Sequence, residues 1–394
     1  MTKIYLKRGK EESLGRRHPW VFSGAIERVE GEPAEGDVVD VFSRQGMFLA
    51  RGHYQIGSIA VRILAFRQED IDERWWRERL RAARAVRLAA GLPDAPATDC
   101  YRLVHGEGDG LPGLVVDIYG DTAVMQAHSV GMYASRRAIC EALVAVYGGA
   151  LAAVYDKSAQ TLPYKADAGA RDGYLYGGGD ATERIVSEYG NRFRVDWGTG
   201  QKTGFFLDQR ENRELVRQYS RGRIVLNTFS YTGGFSVYAL AGGAKEVVSV
   251  DSSAAAVRLA EQNVALNFGD GAPHEGVASD VFDYLKMSGR HFDLIVLDPP
   301  AFAKHHKVLG NAVKGYTRLN AKALAQIAPG GILFTFSCSQ AVSRELFRTA
   351  VFTAAAIAGR NVRILHQLTQ PADHPVNIYH PEGEYLKGLV LYVE

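Results

Sequence analysis

Two side chains in the last third of the chain offer the sharpest chemistry. In "GGILFTFSCSQ" (330–340), an apolar run through Ile332, Leu333 and Phe334 stops at Ser337-Cys338-Ser339. A cysteine where a buried strand meets a polar turn is either a small core filler or, as its thiolate, a nucleophile. Upstream, "FDLIVLDPP" ends on the carboxylate of Asp298. Earlier strands share this design. "EVVSVD" ends at Asp251, "EGVASD" ends at Asp280, and "RIVLNTF" runs into the loop "NTFSYTGGFS" (227–236). Gly233 and Gly234 would let the backbone approach a ligand closely. A carboxylate at Asp251 suits the two hydroxyls of a ribose, and Asp280 is placed for an adenine amine. Singly, each acid reads as a helix N-cap. As a series over four strand tips, they read as a site for an adenosine-containing cofactor. The loop lacks GxGxxG, which argues against a dinucleotide fold.

The elements that must hold these residues fall into three territories. From residue 196 strands alternate with helices, notably over 253–267, 314–328 and 342–358. That pattern predicts an α/β fold with a mostly parallel sheet covered on both faces, and its ligands sit at the carboxyl ends of the strands. No clear helix joins the last two strands, which allows an antiparallel final strand. Residues 71–195 predict a linker helix over 71–90 and an α+β unit with a helix over 132–147 and a hairpin turning at Gly190-Asn191. Residues 1–70 alternate apolar and polar in short runs between glycines, the pattern of a small β-barrel.

The chain has 394 residues, 46% hydrophobic and 23% charged, with net charge +2. That length implies more than one core, and the mild charge makes local clustering decide about polyanionic partners. Lys7, Arg8, Arg16 and Arg17 concentrate positive charge at the start of the barrel. Arg74, Arg77, Arg81 and Arg84 recur on one face of the linker helix, while Trp76, Leu80 and Ala83 form its packing face. Both basic sets read either as solvated surface or as contacts for RNA phosphates. Cys100, Cys140 and Cys338 show neither disulfide nor zinc-ligand spacing, which suits a reducing cytoplasm. No signal peptide or membrane-length apolar run is visible. His305, His306, His366, His374 and His380 share no ligand spacing, so no metal is expected. "HGEGDGLPG" (105–113) lacks the Lys-Ser/Thr of a phosphate loop and reads as a plain turn.

Taken together, "GRRHPWVFSGAI", "HGEGDGLPGL", "KTGFFLDQREN", "NTFSYTGGFSV", "VVSVDSS", "FDLIVLDPPAF", "FTFSCS" and "YHPEGEYLKG" resemble, over essentially the whole chain, the ribosomal RNA large subunit methyltransferase I family. This resemblance implies a Rossmann-like class I methyltransferase domain at 196–394. It also implies a PUA-like RNA-binding barrel at 1–70 and S-adenosylmethionine as cofactor. It implies 23S rRNA, free or in a large-subunit precursor, as partner, with 5-methylcytosine as product; a homodimer is compatible with it. By the same resemblance Asn227, Phe229, Ser230, Tyr231, Gly233, Gly234, Asp251, Ser252, Asp280, Val281, Asp298 and Pro299 line the cofactor. Lys202, Phe205 and Gln209 should close over it.

Carbon-5 methylation of cytosine explains a need for the cysteine. That carbon is too weak a nucleophile to take a methyl from a sulfonium. A thiolate adding at carbon 6 turns the ring into an enamine, whose carbon 5 can attack. Cys338 then acts as nucleophile and Asp298 as ring activator near nitrogen 3, and the positive end of the helix over 342–358 would favour the thiolate. Many RNA enzymes of this type carry a second cysteine in Asp-x-Pro-Cys. Here the run is Asp298-Pro299-Pro300-Ala301, so release must use another group, and the base that removes the carbon-5 proton is unassigned. The same departure supplies a rival. "DPPAF" resembles the motif by which amino methyltransferases hold an exocyclic amine, and Cys338 would then be core filler. A third reading is a non-catalytic RNA-binding protein, against which the series of polar strand tips argues.

Overall fold

The computed structural model describes residues 1–394 except 93–96, 164–168 and 303–308. The described residues form two compact units. The first is Met1–Val186 with Val195–Leu207 and Ala372–Gly383, and the second is Ser187–Arg194 with Asp208–Pro371 and Glu384–Glu394.

The first unit opens with β1 (Lys3–Leu6), α1 (Glu12–Gly15), β2 (Trp20–Phe22), β3 (Ile26–Glu30), β4 (Val38–Phe42), β5 (Phe48–Tyr54) and β6 (Ile59–Ala65). These strands form a six-stranded sheet in the order β2-β6-β5-β4-β1-β3. Period-2 alternation turns Ile4, Leu6, Val39, Val41, Val61 and Ile63 into one core. Register shifts in the β1–β3, β2–β6, β4–β5 and β5–β6 ladders mark bulges that bend a sheet. Every strand feeds that common core, as the alternation predicts for a small barrel.

Helix α2 (Glu73–Ala89) starts on Asp72, whose carboxylate accepts the Trp75 N–H at 2.8 Å. Trp75, Trp76, Leu80 and Ala83 enter a core shared with β7 (Cys100–His105), β8 (Leu114–Tyr119), β9 (Thr122–Ala127), α3 (Val130–Ala134), α4 (Arg136–Tyr147) and β10 (Ala153–Asp156). With β11 (Gly173–Gly177) the strands form a five-stranded sheet, order β11-β10-β9-β8-β7. The helix predicted over 132–147 is two helices meeting at Ser135, and it begins earlier because Ser129 caps α3. The edge strands β7 and β11 fall outside the strands predicted.

Strands β12 (Glu183–Glu188) and β13 (Asn191–Asp196) form a two-stranded hairpin. Its turn is Tyr189-Gly190, with φ of 48° and 81°, one residue earlier than expected. Both central residues of such a turn need positive φ, and a tyrosine gives no hint of that.

The second unit continues with α5 (Arg210–Tyr219), β14 (Ile224–Thr228), α6 (Gly234–Ala241), β15 (Glu246–Asp251), α7 (Ala254–Phe268), β16 (His274–Ala278) and α8 (Val281–Met287). It ends with β17 (Phe292–Leu297), α9 (Leu309–Gln326), β18 (Ile327–Ser337), α10 (Arg344–Ala358), β19 (Val362–Leu368) and β20 (Lys387–Val393). The seven-stranded sheet runs β16-β15-β14-β17-β18-β20-β19. Its strands are parallel except β20, which is antiparallel to both neighbours. The doubly wound sheet with an antiparallel strand is thus borne out. Val225, Val247, Leu294, Val296 and Phe334 build one core, and Leu226, Val248, Ile295, Leu297 and Leu333 build the other. Alternate residues of the same strands therefore pack on opposite faces, the pattern of a sheet covered on both sides.

Candidate active site

Register brings the predicted strand tips to one edge of the second unit. Thr228 pairs with Val250 and with Leu297, Leu297 pairs with Thr335, and Asp251 pairs with Ala278. The residues following these pairs therefore emerge together at the carboxyl edge, where ligands of such sheets bind.

The loop after β14 is held in an uncommon backbone. Phe229, Tyr231 and Gly233 have φ of 54°, 44° and 74°. Left-handed backbone at bulky residues persists only where surroundings enforce it, often at ligand sites. Here Ser230 N–H bonds the Val250 carbonyl at 3.1 Å, and Tyr231 N–H bonds Asp251 Oδ2 at 3.0 Å. Ser230 Oγ and Asn227 Oδ1 are buried without a partner among the described residues, although Asn227 Nδ2 donates to Ser236 at 2.8 Å. Buried orphan acceptors beside a strained loop suit a polar ligand.

The glycines act differently from the sequence expectation. A Cβ on Gly233 would lie 2.8 Å from Ala260 Cβ of α7, and one on Gly234 would lie 3.0 Å from Arg213 Cδ. Their missing side chains thus admit a helix and an arginine. Arg213 is itself fixed by a buried ion pair with Glu188, both contacts at 2.8 Å, and Tyr238 donates to the same carboxylate at 3.0 Å.

Asp280 is a helix cap as expected, whereas α7 is capped by Ser253 and Asp251 only braces that turn. Asp251 Oδ1 accepts the Ser253 N–H at 2.9 Å, beside exposed Ser252. Asp280 Oδ1 caps α8 through Phe282 and Asp283 N–H at 2.8 and 3.1 Å. The side chain of Val281 is buried in the core beneath β15 and β17. Lys202 and Phe205 belong to the first unit. There Lys202 has φ of 53° and its carbonyl accepts from Gln126, while Phe205 is buried. Gln209 is in the second unit, and its Nε2 donates to Asp298 Oδ1 at 3.1 Å.

Cys338 and Asp298 meet at adjacent strand ends. The Cys338 thiol donates to the carbonyl of buried Pro299 at 3.9 Å. Burial, then the Asp208 charge, pushes the Asp298 carboxyl up to about 7, against the Gln209 hydrogen bond. Burial, then the charges of Asp298 and Asp208, pushes the thiol up to about 12. The expected helix contribution takes another form. Ser343 caps α10 through the Leu346 N–H at 3.2 Å, and the thiol is directed at Pro299 instead. Around it, Tyr316 joins Ser337 at 2.9 Å and Ser339 at 3.0 Å, and Phe302 packs on Tyr316 with ring centroids 4.7 Å apart.

Sequence reasoning passed over three residues here. Asp208 receives the Tyr385 hydroxyl at 2.7 Å on one oxygen, and its other oxygen is buried without a partner among the described residues. Lys387 donates to the Ser339 carbonyl at 2.7 Å. Asp208 was visible in "FLDQREN" and Lys387 in "YLKG", but neither spacing says what it faces. The third, Arg87, lies in the first unit. It is fully buried, pairs with Asp109 and donates to the Arg102 and Asp373 carbonyls at 2.7 Å, so the "HGEGDG" turn anchors a buried charge.

The basic sets lie in the first unit. Lys7 Nζ donates to the Gly24 carbonyl at 2.9 Å, and Arg17 lies 5.9 Å from the Phe66 ring centroid. Arg8 and Arg16 are exposed, the latter 3.9 Å from Glu12. Arg74 pairs with Glu78 at 2.8 Å and Arg77 with Glu73 at 3.4 Å, while Arg81 is exposed. His305 and His306 lie outside the described residues. His18, His380 and Glu382 bring potential ligand atoms within 4.8 Å of one another, a proximity no sequence spacing foretells.

The chain is an S-adenosylmethionine-dependent methyltransferase by family, and its doubly wound sheet with a carboxyl-edge site fits that class. A family model of that description matches residues 125–378, and one for a PUA-like domain matches residues 4–66. Two solved structures share the fold over all of both chains at 24% identity. One is from Streptococcus mutans, described as an S-adenosylmethionine-dependent methyltransferase (TM-score 0.84), and the other is described as a methyltransferase complexed with S-adenosylhomocysteine (TM-score 0.85). Among curated relatives, Ribosomal RNA large subunit methyltransferase I of Aeromonas salmonicida is 43% identical, covering 98% of each chain. That of Erwinia tasmaniensis is 42% identical, covering 100% of this chain and 99% of its own. The chain belongs to the ribosomal RNA large subunit methyltransferase I family, as its motifs imply.

Proposed function

We propose that the chain methylates carbon 5 of a cytosine in large-subunit ribosomal RNA through a covalent bond to Cys338. The observation that supports this reading is the contact of the Cys338 thiol with the Pro299 carbonyl, next to Asp298 on the neighbouring strand tip. S-adenosylmethionine, when bound, supplies the electrophilic methyl group. Ser230, Tyr231, Gly233 and Gly234 would hold its methionine part, Asp251 with Ser252 its ribose, and Asp280 with the Val281 backbone its adenine. Asn227 and Pro299 complete the lining, and Lys202, Phe205 and Gln209 complete the set carried over from the family. The buried, partnerless Ser230 Oγ and Asn227 Oδ1 favour a polar occupant.

Asp298, raised to about 7, can carry a proton at neutral pH and share it with cytosine nitrogen 3. Cys338 then adds to carbon 6, carbon 5 takes the methyl, loss of the carbon-5 proton restores the ring, and the sulfur leaves. The chain territories 1–70, 71–195 and 196–394 are proposed to serve RNA binding, spacing and catalysis. Lys7, Arg8, Arg16, Arg17, Arg74, Arg77 and Arg81 are proposed phosphate contacts. Against exocyclic-amine transfer stand two observations. The Pro299 carbonyl accepts the thiol and the Phe302 ring packs on Tyr316, so an exocyclic amine and its base would have to share both with existing partners. Cys338→Ala should abolish release of tritium from RNA labelled at cytosine carbon 5 while S-adenosylhomocysteine still binds. Full methyl transfer by that variant would sink the mechanism, and transfer without tritium release in the wild type would favour the amine reading.

A further inference from the structure

We infer that Lys387 is the thiol-activating group: its neutral amine accepts the proton of Cys338, and its ammonium then pairs with the thiolate. This rests on the reading of Cys338 as nucleophile. Lys387 opens β20 directly opposite Ser337 of β18 and donates to the Ser339 carbonyl at 2.7 Å. Its strand position faces the residue before Cys338, and its head group reaches the residue after.

The lysine is 5% exposed, yet no carboxylate lies within salt-bridge distance of it among the described residues. Glu384, on the same segment, pairs with Arg344. A buried ammonium without an anion is costly, and such a lysine gives up its proton readily. Burial accordingly lowers Lys387 to about 8, while Cys338 is the group that most favours its charged form.

The charged or titratable groups around the thiol come from several elements. Asp298 follows β17, Asp208 precedes α5, Tyr316 is on α9 and Lys387 opens β20, while Arg344, which opens α10, and Glu384, before β20, act on Lys387. Lys387 is the charged side chain among them that favours thiolate at Cys338. The transfer breaks S–H and forms N–H. The freed sulfur pair bonds carbon 6, and at elimination it returns to sulfur opposite the same ammonium. At rest the proton stays on sulfur. Protonation of Asp298 eases the transfer, because its charge is the largest repulsion the thiolate meets.

The test measures alkylation of Cys338 by iodoacetamide against pH in the full chain, read on its peptide by mass spectrometry; Cys100 and Cys140 are buried. Lys387→Gln should slow the reaction about tenfold at neutral pH. Lys387→Arg, which keeps the cation but accepts no proton, should retain the wild-type alkylation rate yet lose single-turnover methylation. A wild-type alkylation rate in Lys387→Gln would overturn the proposal. If that variant does not bind S-adenosylhomocysteine, the reciprocal measurement decides. Cys338→Ala should lower the pH at which Lys387 is acylated by acetic anhydride, and an unchanged profile would refute the pairing. Neither the alkylation nor the acylation readout uses RNA, so failure of the carbon-5 reading shows separately, in the tritium assay.

Discussion

Asp298 is expected to make the second unit less stable as pH rises from about 4 to about 7. Its carboxyl ordinarily loses its proton near 3.8, but burial and Asp208 raise it to about 7. The folded state thus keeps a proton that the unfolded chain has released, so deprotonation disfavours folding. The stabilisation is complete below the ordinary value and is lost as pH rises through about 7. A gap of about three units at ~1.4 kcal/mol each sets a ceiling of roughly 4 kcal/mol. Asp298 is partly exposed, and solvent screening reduces the expected value to roughly half of that. Asp298→Asn keeps the shape and an acceptor for Gln209 but cannot ionise. Thermal unfolding should be followed on the transition that S-adenosylhomocysteine shifts, which marks the second unit. Relative to the variant, the wild type should lose stability between about pH 4 and 7 and then level off. A constant difference across that range would show that Asp298 ionises like an ordinary carboxylate, and its part as proton donor would fall with it.

Two further outcomes follow from the geometry. Gly233→Ala puts a Cβ 2.8 Å from Ala260 Cβ at φ +74°. Backbone strain of ~1–2 kcal/mol and overpacking of ~1–3 kcal/mol should lower the unfolding midpoint by several degrees; a change under about one degree would refute the packing account. In RNA anisotropy titrations at several salt concentrations, Arg16→Ala with Arg17→Ala should reduce the salt slope by about 1 to 2. Arg74→Ala with Arg77→Ala should reduce it less, because Glu78 and Glu73 already neutralise those side chains. Equal reductions would show that the helix pairs open to admit phosphates.

Much of the fold was legible in the primary sequence. The alternation in "KIYLK" and "DVVDVF" marks one-sided strands, and the continuous apolar run of "FDLIVL" marks a strand buried on both faces. Boundaries were less legible. The helix predicted over 314–328 runs Leu309–Gln326, since Ile327 pairs with Phe292 and hands the chain to β18. Carboxylates at strand ends were correctly located, but cap and ligand look alike in sequence, and Asp280 is a cap by geometry. The glycines were noticed for the space they leave, but what fills that space, Ala260 and Arg213, comes from other elements.

By itself, then, the sequence determined which residues stand at strand tips, because strand ends follow from local apolar runs and the turns that stop them. It also carried the family's motifs. Only the tertiary structure decided what each tip faces. Lys387 reaches the Ser339 carbonyl, next to Cys338, because β20 inserts antiparallel between β18 and β19. Asp298 is raised because the fold buries it and brings up the charge of Asp208, far off in the chain. Charges and hydrogen bonds act through distances of a few ångströms, and sheet order, which no local pattern states, sets those distances.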